Sequence, residues 1–256
     1  MRFSIKKQKK YSYIEEGEGH PIVLLHGLMG GLSNFDELMK FFSNKGYKVY
    51  APNLPILDLP ILNTNVSNIA KFVTGFLEDV VKEQATLVGN SLGGHVGLVT
   101  TNNDPDLVHS LVLTGSSGLY EKSFGETFPK RGSYEYVKRK AEEVFYDPSV
   151  ATKEIVDEVF ETVNDKKKAI KTLYIARSAI KHNMKDQIKE IQQPVLLIWG
   201  KQDVVTPPEV AVAFHEGLPN STLHWIDKCG HAPMMEHPNL FNELLYNWLN
   251  PLVTKS

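Results

Sequence analysis

The strongest constraint on the fold is a repeated alternation between two apolar patterns along the chain. Short continuous apolar runs are typical of strands that are buried on both faces, and they alternate with stretches whose apolar residues recur at helical spacing. The strand-like runs are residues 22–25, 48–51, 85–88, 111–113, 195–199 and, less strongly apolar, 222–226. Strands and helices in series predict an α/β fold, with a mostly parallel sheet covered by helices on both faces.

Two helical stretches carry start signals. Apolar residues at helical spacing fill residues 67–83, and Ser67 is a candidate N-cap there. Ser33 and Asp36 have the spacing of a capping box, so a second helix is predicted from that point to about Lys45, just before Gly46.

The alternation is interrupted once, between about Gly118 and Glu190, where no buried-strand run occurs. Within this interval, a first stripe of apolar residues at helical spacing consists of Ile155, Val156, Val159, Phe160 and Val163. A second helical stretch runs from about Lys166 to His182. Open α/β sheets bind ligands beyond the carboxyl ends of their strands, so an insertion here predicts a lid over such a site. The alternative is a subdomain with a purely structural role.

The chain therefore divides into two predicted parts. Residues 1–117 and 191–256 form the α/β core, and residues 118–190 form a helical cap inserted into it. A chain of this length can bury a sizeable core without disulfide or metal cross-links.

Composition excludes several functional classes. With 28 Lys and Arg against 30 Asp and Glu, the net charge of −2 lacks the basic footprint of a nucleic-acid-binding protein. Cys229 is the single cysteine, so neither an internal disulfide nor a zinc–cysteine cluster can form. No stretch approaches about 18 uninterrupted apolar residues, and no apolar signal core follows the basic N-terminus. We expect a soluble, cytoplasmic protein that binds neither membranes nor nucleic acids.

A candidate nucleophile lies in the segment Gly89-Asn90-Ser91-Leu92-Gly93, directly after the strand-like run 85–88. A helical stretch follows it, which is the setting of the G-x-S-x-G nucleophile elbow. A serine on so tight a turn has a strained backbone, and its neighbours two residues away must lack side chains to avoid collision. The pattern alone is weak, since a glycine-rich turn with a bystander serine has the same letters.

A serine hydroxyl needs a base, and the base needs an acid to orient it. Asp203 follows the end of the strand-like run 195–199, and His231 follows the run 222–226. The order serine, aspartate, histidine is that of one class of catalytic triads. Asp58 and Asp227 are the alternative candidates for the acid that orients the histidine. The competing histidines, each interpreted as structural or surface residues, are His109, His215, His224 and His237.

Stabilising the oxyanion requires preorganised donors. The backbone N–H of Leu92 is one candidate, because it follows the nucleophile at a helix N-terminus. The backbone N–H of Leu28 is the other, since it lies in the glycine-rich segment after the strand-like run 22–25. The alternative for this second segment is a plain strand-to-helix turn. His26 is interpreted as a structural residue that holds the loop.

Taken together, these segments resemble the α/β-hydrolase family. The motifs that carry the resemblance, in the order and spacing of the family, are HGLMGG, APNLP, GNSLGG, PVLLIWGKQDVVTP and GHAPMMEHP. The resemblance implies a mostly parallel sheet of about eight strands, with a helical cap inserted after the sixth. Serine at position 91 favours acyl transfer over the alkyl-ester chemistry of the family members that carry aspartate there.

Within the family, the chain resembles lipase-like esterases and the carbon–carbon hydrolases that cleave ring-fission products. Asn90 before the serine is typical of the second group. In that group a cap arginine meets a substrate carboxylate, and Arg177 is the candidate for this role, with a surface ion pair as its alternative.

The sequence therefore predicts a serine hydrolase that cleaves small carboxylic esters through an acyl-enzyme intermediate. The absence of HExxH, of a cysteine cluster and of G-x-G-x-x-G predicts that it needs no metal or dinucleotide cofactor. One alternative is carbon–carbon bond hydrolysis of a ring-fission dienone acid, a ketone substrate. Another is a ligand-binding hydrolase homologue with little turnover.

Overall fold

The structure, a computed structural model, describes residues 3–120 and 132–254. The strands in these ranges form one sheet. They are β1 (Ile5–Gln8), β2 (Tyr11–Glu16), β3 (His20–Leu25), β4 (Tyr47–Pro52), β5 (Ala85–Asn90), β6 (Val108–Thr114), β7 (Val195–Gly200) and β8 (Ser221–Ile226).

The sheet has the strand order β1-β2-β4-β3-β5-β6-β7-β8. The pairs β1–β2 and β2–β4 are antiparallel, and the other neighbouring strands are parallel. This confirms the predicted mostly parallel α/β sheet. The sequence patterns did not reveal β1 and β2, because every residue of β1 is exposed and β2 mixes buried with half-buried positions. Neither strand therefore has the continuous apolar run of a buried strand.

Helices cover both faces of the sheet. Those in the described ranges are α1 (Asp36–Ser43), α2 (Val66–Phe76), α3 (Leu92–Asn103), α4 (Tyr134–Glu142), α5 (Lys153–Asn164), α6 (Lys166–Lys181), α7 (Pro208–Gly217), α8 (Pro233–Glu236) and α9 (Pro238–Val253). Successive side chains of a strand point to opposite faces. In β3, Val23 and Leu25 belong to the apolar cluster that also contains residues of α2, α3 and α7, whereas Ile22 and Leu24 belong to the cluster that contains residues of α1 and α9.

Both predicted helix starts differ in the structure. The N-cap of α2 is Asn65, whose extended backbone lets its side-chain oxygen accept the N–H of Asn68 (2.9 Å). Ser67 already lies inside the helix, so its prediction as the N-cap was wrong. The capping box at Ser33 was also wrong, because that residue lies within a 3-10 turn (Leu32–Phe35) that precedes α1.

Helices α4, α5 and α6 lie between β6 and β7, in the interval where helices without strands were predicted. Residues 121–131 of that interval lie outside the described ranges. The two ends of the insertion meet where it leaves and rejoins the sheet. The N–H of Met184 donates to the Gly118 carbonyl (2.7 Å), and the Asn183 amide donates to the Leu119 carbonyl (2.6 Å).

Within residues 3–120 and 132–254, no helix combines the length and apolar character needed to cross a membrane. The same ranges contain no group of three or more His, Cys, Asp or Glu side chains arranged to hold a metal ion.

Candidate active site

Ser91 occupies the sharp turn between β5 and α3. Its backbone has φ 56° and ψ −119°, a conformation that is strained for a residue with a side chain. The turn is tight enough to require its glycines. A Cβ on Gly89 would lie 2.5 Å from the backbone N of Gly94, and a Cβ on Gly93 would overlap the carbonyl oxygen of Leu25. The Ser91 side chain is half-buried at the carboxyl end of β5.

Asp203 and His231 form a buried hydrogen-bonded pair. The His231 Nδ1 lies 3.0 Å from Asp203 Oδ2. The carboxylate is fixed by its own loop, because Oδ1 accepts the N–H groups of Val205 (2.8 Å) and Thr206 (2.9 Å) and Oδ2 accepts the Thr206 hydroxyl (2.8 Å). Because a carboxylate can only accept hydrogen bonds, the proton between His231 Nδ1 and Asp203 Oδ2 is carried by Nδ1. The lone pair of the neutral imidazole is then on Nε2, where a general base needs it.

Asn90 and Gly115 bring the histidine loop against the serine turn. The Asn90 side-chain amide donates to the carbonyls of Thr114 (3.0 Å) and His231 (3.0 Å). Gly115, with φ 51°, follows β6, and a Cβ there would lie 2.7 Å from His231 Nδ1. The carboxyl ends of β5 and β6 and the loop after β8 therefore meet at one place.

The two alternative acids lie elsewhere. Asp58 is exposed. Asp227 is also exposed, and it accepts a hydrogen bond from Gln202 (3.2 Å) and lies 3.8 Å from Lys201. Of the three aspartates considered, Asp203 is the one in hydrogen-bond contact with His231.

His26 ties together two loops near the site. Its Nε2 accepts the N–H of Leu54 (3.2 Å), so its Nδ1 carries the proton and donates to the Gly27 carbonyl (2.9 Å). Burial lowers the pKa of His26, which keeps the ring neutral. The contacts make His26 a support for the segment that contains Leu28.

The two residues predicted to supply oxyanion amides, Leu28 and Leu92, are each next in sequence to a residue of the serine turn or one that approaches it. Leu92 is the first residue of α3, so its N–H has no partner inside the helix. Leu28 follows Gly27, on which a Cβ would lie 3.3 Å from the Ser91 Cβ. Within residues 3–120 and 132–254 neither amide donates a hydrogen bond. Their role as oxyanion donors stays a prediction.

A histidine pair, of which His95 is buried and His182 is half-buried, joins the helix after Ser91 to the insertion. His95 on α3 is fully buried, and its Nε2 lies 3.1 Å from Nδ1 of His182, which follows α6. Its Nδ1 lies 3.4 Å from the Ser117 hydroxyl. Burial lowers the pKa of His95 to about 3, and the neighbouring His182 contributes to the shift.

We expect this buried histidine to make the protein less stable in acid. An unfolded histidine binds its proton near pH 6.5, whereas folded His95 binds one only near pH 3. Between these values the unfolded state holds more protons. The free energy of unfolding therefore decreases as the pH is lowered, by up to about 1.4 kcal/mol for each pH unit. Below about pH 3 this contribution levels off.

The measurement is urea unfolding from pH 7 to pH 4. His95→Gln keeps a hydrogen-bonding group toward His182 but does not titrate, so its stability should decline less steeply than that of the wild type. The exposed His215→Gln is the control and should keep the wild-type slope. Identical slopes for the wild type and His95→Gln would contradict the assignment.

Arg177 lies on the exposed side of α6. No ion pair of this arginine occurs in the part of the chain that the structure describes. Its contact with a substrate carboxylate stays a prediction.

Sequence reasoning missed three groups that hold the site. They are Thr206, whose hydroxyl and N–H bind Asp203; Asn90, whose side chain binds the His231 carbonyl; and Gly115, whose lack of a side chain leaves room for the His231 ring. A local signal existed for Thr206, because an aspartate followed by Thr three residues later is typical of a loop closed by side-chain hydrogen bonds. No local signal shows that Asn90 reaches His231, which is far along the chain.

The chain is similar to known proteins over a range that includes all the predicted site residues. A family model described as serine aminopeptidase, S33, matches residues 20–238. An α/β-hydrolase enzyme from the sediment metagenome of the Mar Chica lagoon, Morocco, is 46% identical, with a TM-score of 0.81 and coverage of 97% of this chain and 98% of that one. The uncharacterized hydrolase YugF of Bacillus subtilis is 29% identical over 93% of each chain. A 2-hydroxy-6-oxononadienedioate/2-hydroxy-6-oxononatrienedioate hydrolase of Paraburkholderia phymatum is 29% identical over 93% of this chain and 90% of its own.

Proposed function

This chain belongs to the α/β-hydrolase family, and we propose that it is a serine hydrolase that cleaves small carboxylic esters through an acyl-enzyme intermediate. The observation that carries the proposal is the buried Asp203–His231 hydrogen bond beside a serine on a strained strand-to-helix turn. Such a constellation activates a hydroxyl for attack on a carbonyl carbon.

In the proposed mechanism Ser91 Oγ attacks the ester carbonyl while His231 Nε2 takes its proton. Asp203 stabilises the imidazolium that forms. The amides of Leu28 and Leu92 bind the developing oxyanion. His231 then returns the proton to the leaving alcohol oxygen, which leaves an acyl group on Ser91. Water gives up a proton to the same imidazole as it attacks the acyl carbon. The imidazolium then returns that proton to Ser91 Oγ as the bond between Oγ and the acyl carbon breaks, which releases the acid and restores the free serine.

We propose that residues 118–190 act as a lid over this site and that residues 1–117 and 191–256 form the catalytic core. Support comes from the way the insertion joins the core. It leaves and returns at hydrogen-bonded neighbours, Gly118 and Met184, and the N–H of His231 donates to the carbonyl of Val144 (3.0 Å), just after α4. Substrate choice should then depend on the insertion more than on the triad.

A second candidate is carbon–carbon bond hydrolysis of a ring-fission dienone acid. It is favoured by the Paraburkholderia phymatum relative, whose name specifies a dienedioate substrate. A buried carboxylate needs a cationic partner. The fully buried polar side chains of the described residues include no Lys or Arg, and Arg177 is exposed. This distribution favours an uncharged ester.

The experiment that tests the proposal is turnover of p-nitrophenyl esters of increasing acyl length beside a ring-fission dienoate. We expect the rate to rise with chain length and then to cut off, because each buried methylene contributes about 0.8 kcal/mol until the pocket is full. Negligible ester turnover with efficient cleavage of the dienoate would overturn the ester assignment. A single acylation event without steady turnover would favour a ligand-binding homologue.

Arg177→Ala separates the two substrate classes. We expect its kcat/KM on neutral esters to equal that of the wild type, because the exposed guanidinium contacts no uncharged substrate. The matched control is Lys181→Ala, which removes another exposed cation from α6. A large loss confined to carboxylate substrates, and absent from the control, would favour the carbon–carbon hydrolase.

A further inference from the structure

The carboxylate of Glu236 joins two segments that are far apart in sequence. Glu236 ends the short helix α8, five residues after His231. Its Oε1 accepts the N–H of Gly230 (2.8 Å), and its Oε2 accepts the N–H of Tyr146 (2.7 Å). Gly230 immediately precedes the catalytic histidine, and Tyr146 follows α4 in the insertion. One side chain therefore bridges the histidine loop and the insertion.

The two bridged segments are also in direct contact. His231 donates its N–H to the carbonyl of Val144 (3.0 Å). A Cβ on Gly230 would lie 2.6 Å from the same oxygen and 2.9 Å from the Tyr146 N, so only glycine permits this approach. Phe145, between them, packs against apolar residues of both the core and the insertion. The segment 144–146 is thus seated against the loop that carries His231.

These contacts fix the backbone of His231 from two sides. Its carbonyl is held by Asn90, which precedes the nucleophile, and its N–H is held by Val144 of the insertion. Hydrogen bonds in which the acceptor is ionised are the stronger ones, and Glu236 makes two of them across this junction. Within residues 3–120 and 132–254 no cation pairs with Glu236. Its carboxylate accepts the two backbone N–H groups and, more weakly, the Cys229 thiol, which lies 3.8 Å from Oε1.

We propose that Glu236 is a positioning residue that places His231 for catalysis only while the segment 144–146 is docked, and so couples the insertion to the catalytic base. The inference rests on the proposed serine-hydrolase function, in which the position of His231 limits the chemical step. Loss of the bridge should loosen both the histidine loop and the segment 144–146, because one side chain holds the two.

Glu236→Gln tests the proposal. Glutamine has the same size but offers one acceptor oxygen, so its NH₂ group must meet one of the two backbone N–H donors. We expect kcat on a short ester, per active site titrated with a fluorophosphonate, to fall about 10- to 100-fold with little change in KM. Titration counts only folded, reactive sites, so a merely structural role would leave kcat per site unchanged. Glu243→Gln, at an exposed position on α9, is the control and should behave as the wild type.

Amide hydrogen exchange supplies the second readout. Peptides that contain Tyr146 and peptides that contain Gly230 and His231 should both exchange faster in Glu236→Gln. The proposal is overturned if kcat per titrated site equals that of the wild type, or if only one of the two peptides loses protection. Wild-type protein that neither reacts with the fluorophosphonate nor turns over esters would instead refute the proposed function, so the two failures are distinguishable.

Discussion

Ser91→Ala is expected to lower kcat on p-nitrophenyl esters by on the order of a million-fold. Without the hydroxyl no acyl-enzyme can form, and the remaining Asp203–His231 pair has no nucleophile to activate. The fold should persist, because alanine keeps the backbone of the turn and Ser91 Oγ makes no hydrogen bond within residues 3–120 and 132–254. Steady-state kinetics and thermal unfolding of the purified variant provide the measurement.

Ser4→Ala is the control for this change, because Ser4 is an exposed serine far from the turn. It should retain wild-type kinetics. Retention of more than a few per cent of activity by Ser91→Ala, in protein free of wild-type enzyme, would show that another residue is the nucleophile. Failure of fluorophosphonate labelling at Ser91 in the wild type would lead to the same conclusion.

Asp203→Asn has the second largest expected effect, a loss of about 10⁴-fold in kcat. An amide carries no charge to stabilise the imidazolium. Its NH₂ group, turned toward His231, would also hold the ring in the tautomer whose Nε2 is protonated and unable to accept. The three donors from Val205 and Thr206 fix the side chain in place, so the substitution changes the charge more than the geometry.

Asp227→Asn is the matched control, because it removes an exposed carboxylate from the loop that precedes His231. We expect nearly full activity from it. If Asp227→Asn lost as much turnover as Asp203→Asn, or if Asp203→Asn lost less than about tenfold, the acid would have been assigned to the wrong residue.

The strands and the family could be predicted because their signals are local. A strand buried on both faces, such as β7, must be apolar at every position, and the serine turn must have glycines where side chains would collide. Each requirement is met by a few consecutive residues, so it can be recognised in the sequence. The edge strand β1 has no such requirement, since its residues are exposed, and it leaves no comparable signal.

The features that the sequence did not predict depend on contacts between residues far apart in the chain, or on which of two neighbouring residues takes the same structural role. Asn65 and Ser67 are both good helix caps, and the backbone conformation at Asn65 decided between them. The contact of Val144 with His231 arises only after the insertion has docked on the loop that follows β8. The triad and oxyanion residues remain predictions, and the substitutions above test Ser91 and Asp203 among them.

The left-handed backbone at Ser91 has an evolutionary consequence. A residue with a side chain costs about 1–3 kcal/mol in such a conformation, whereas glycine adopts it readily. Selection for heat resistance alone would therefore favour glycine at this position, whereas under the proposed function selection for turnover would keep serine there. Lineages that lost the need for hydrolysis would be free to relieve the strain, so a relative with glycine at this turn would have abandoned its chemistry and gained a more durable scaffold.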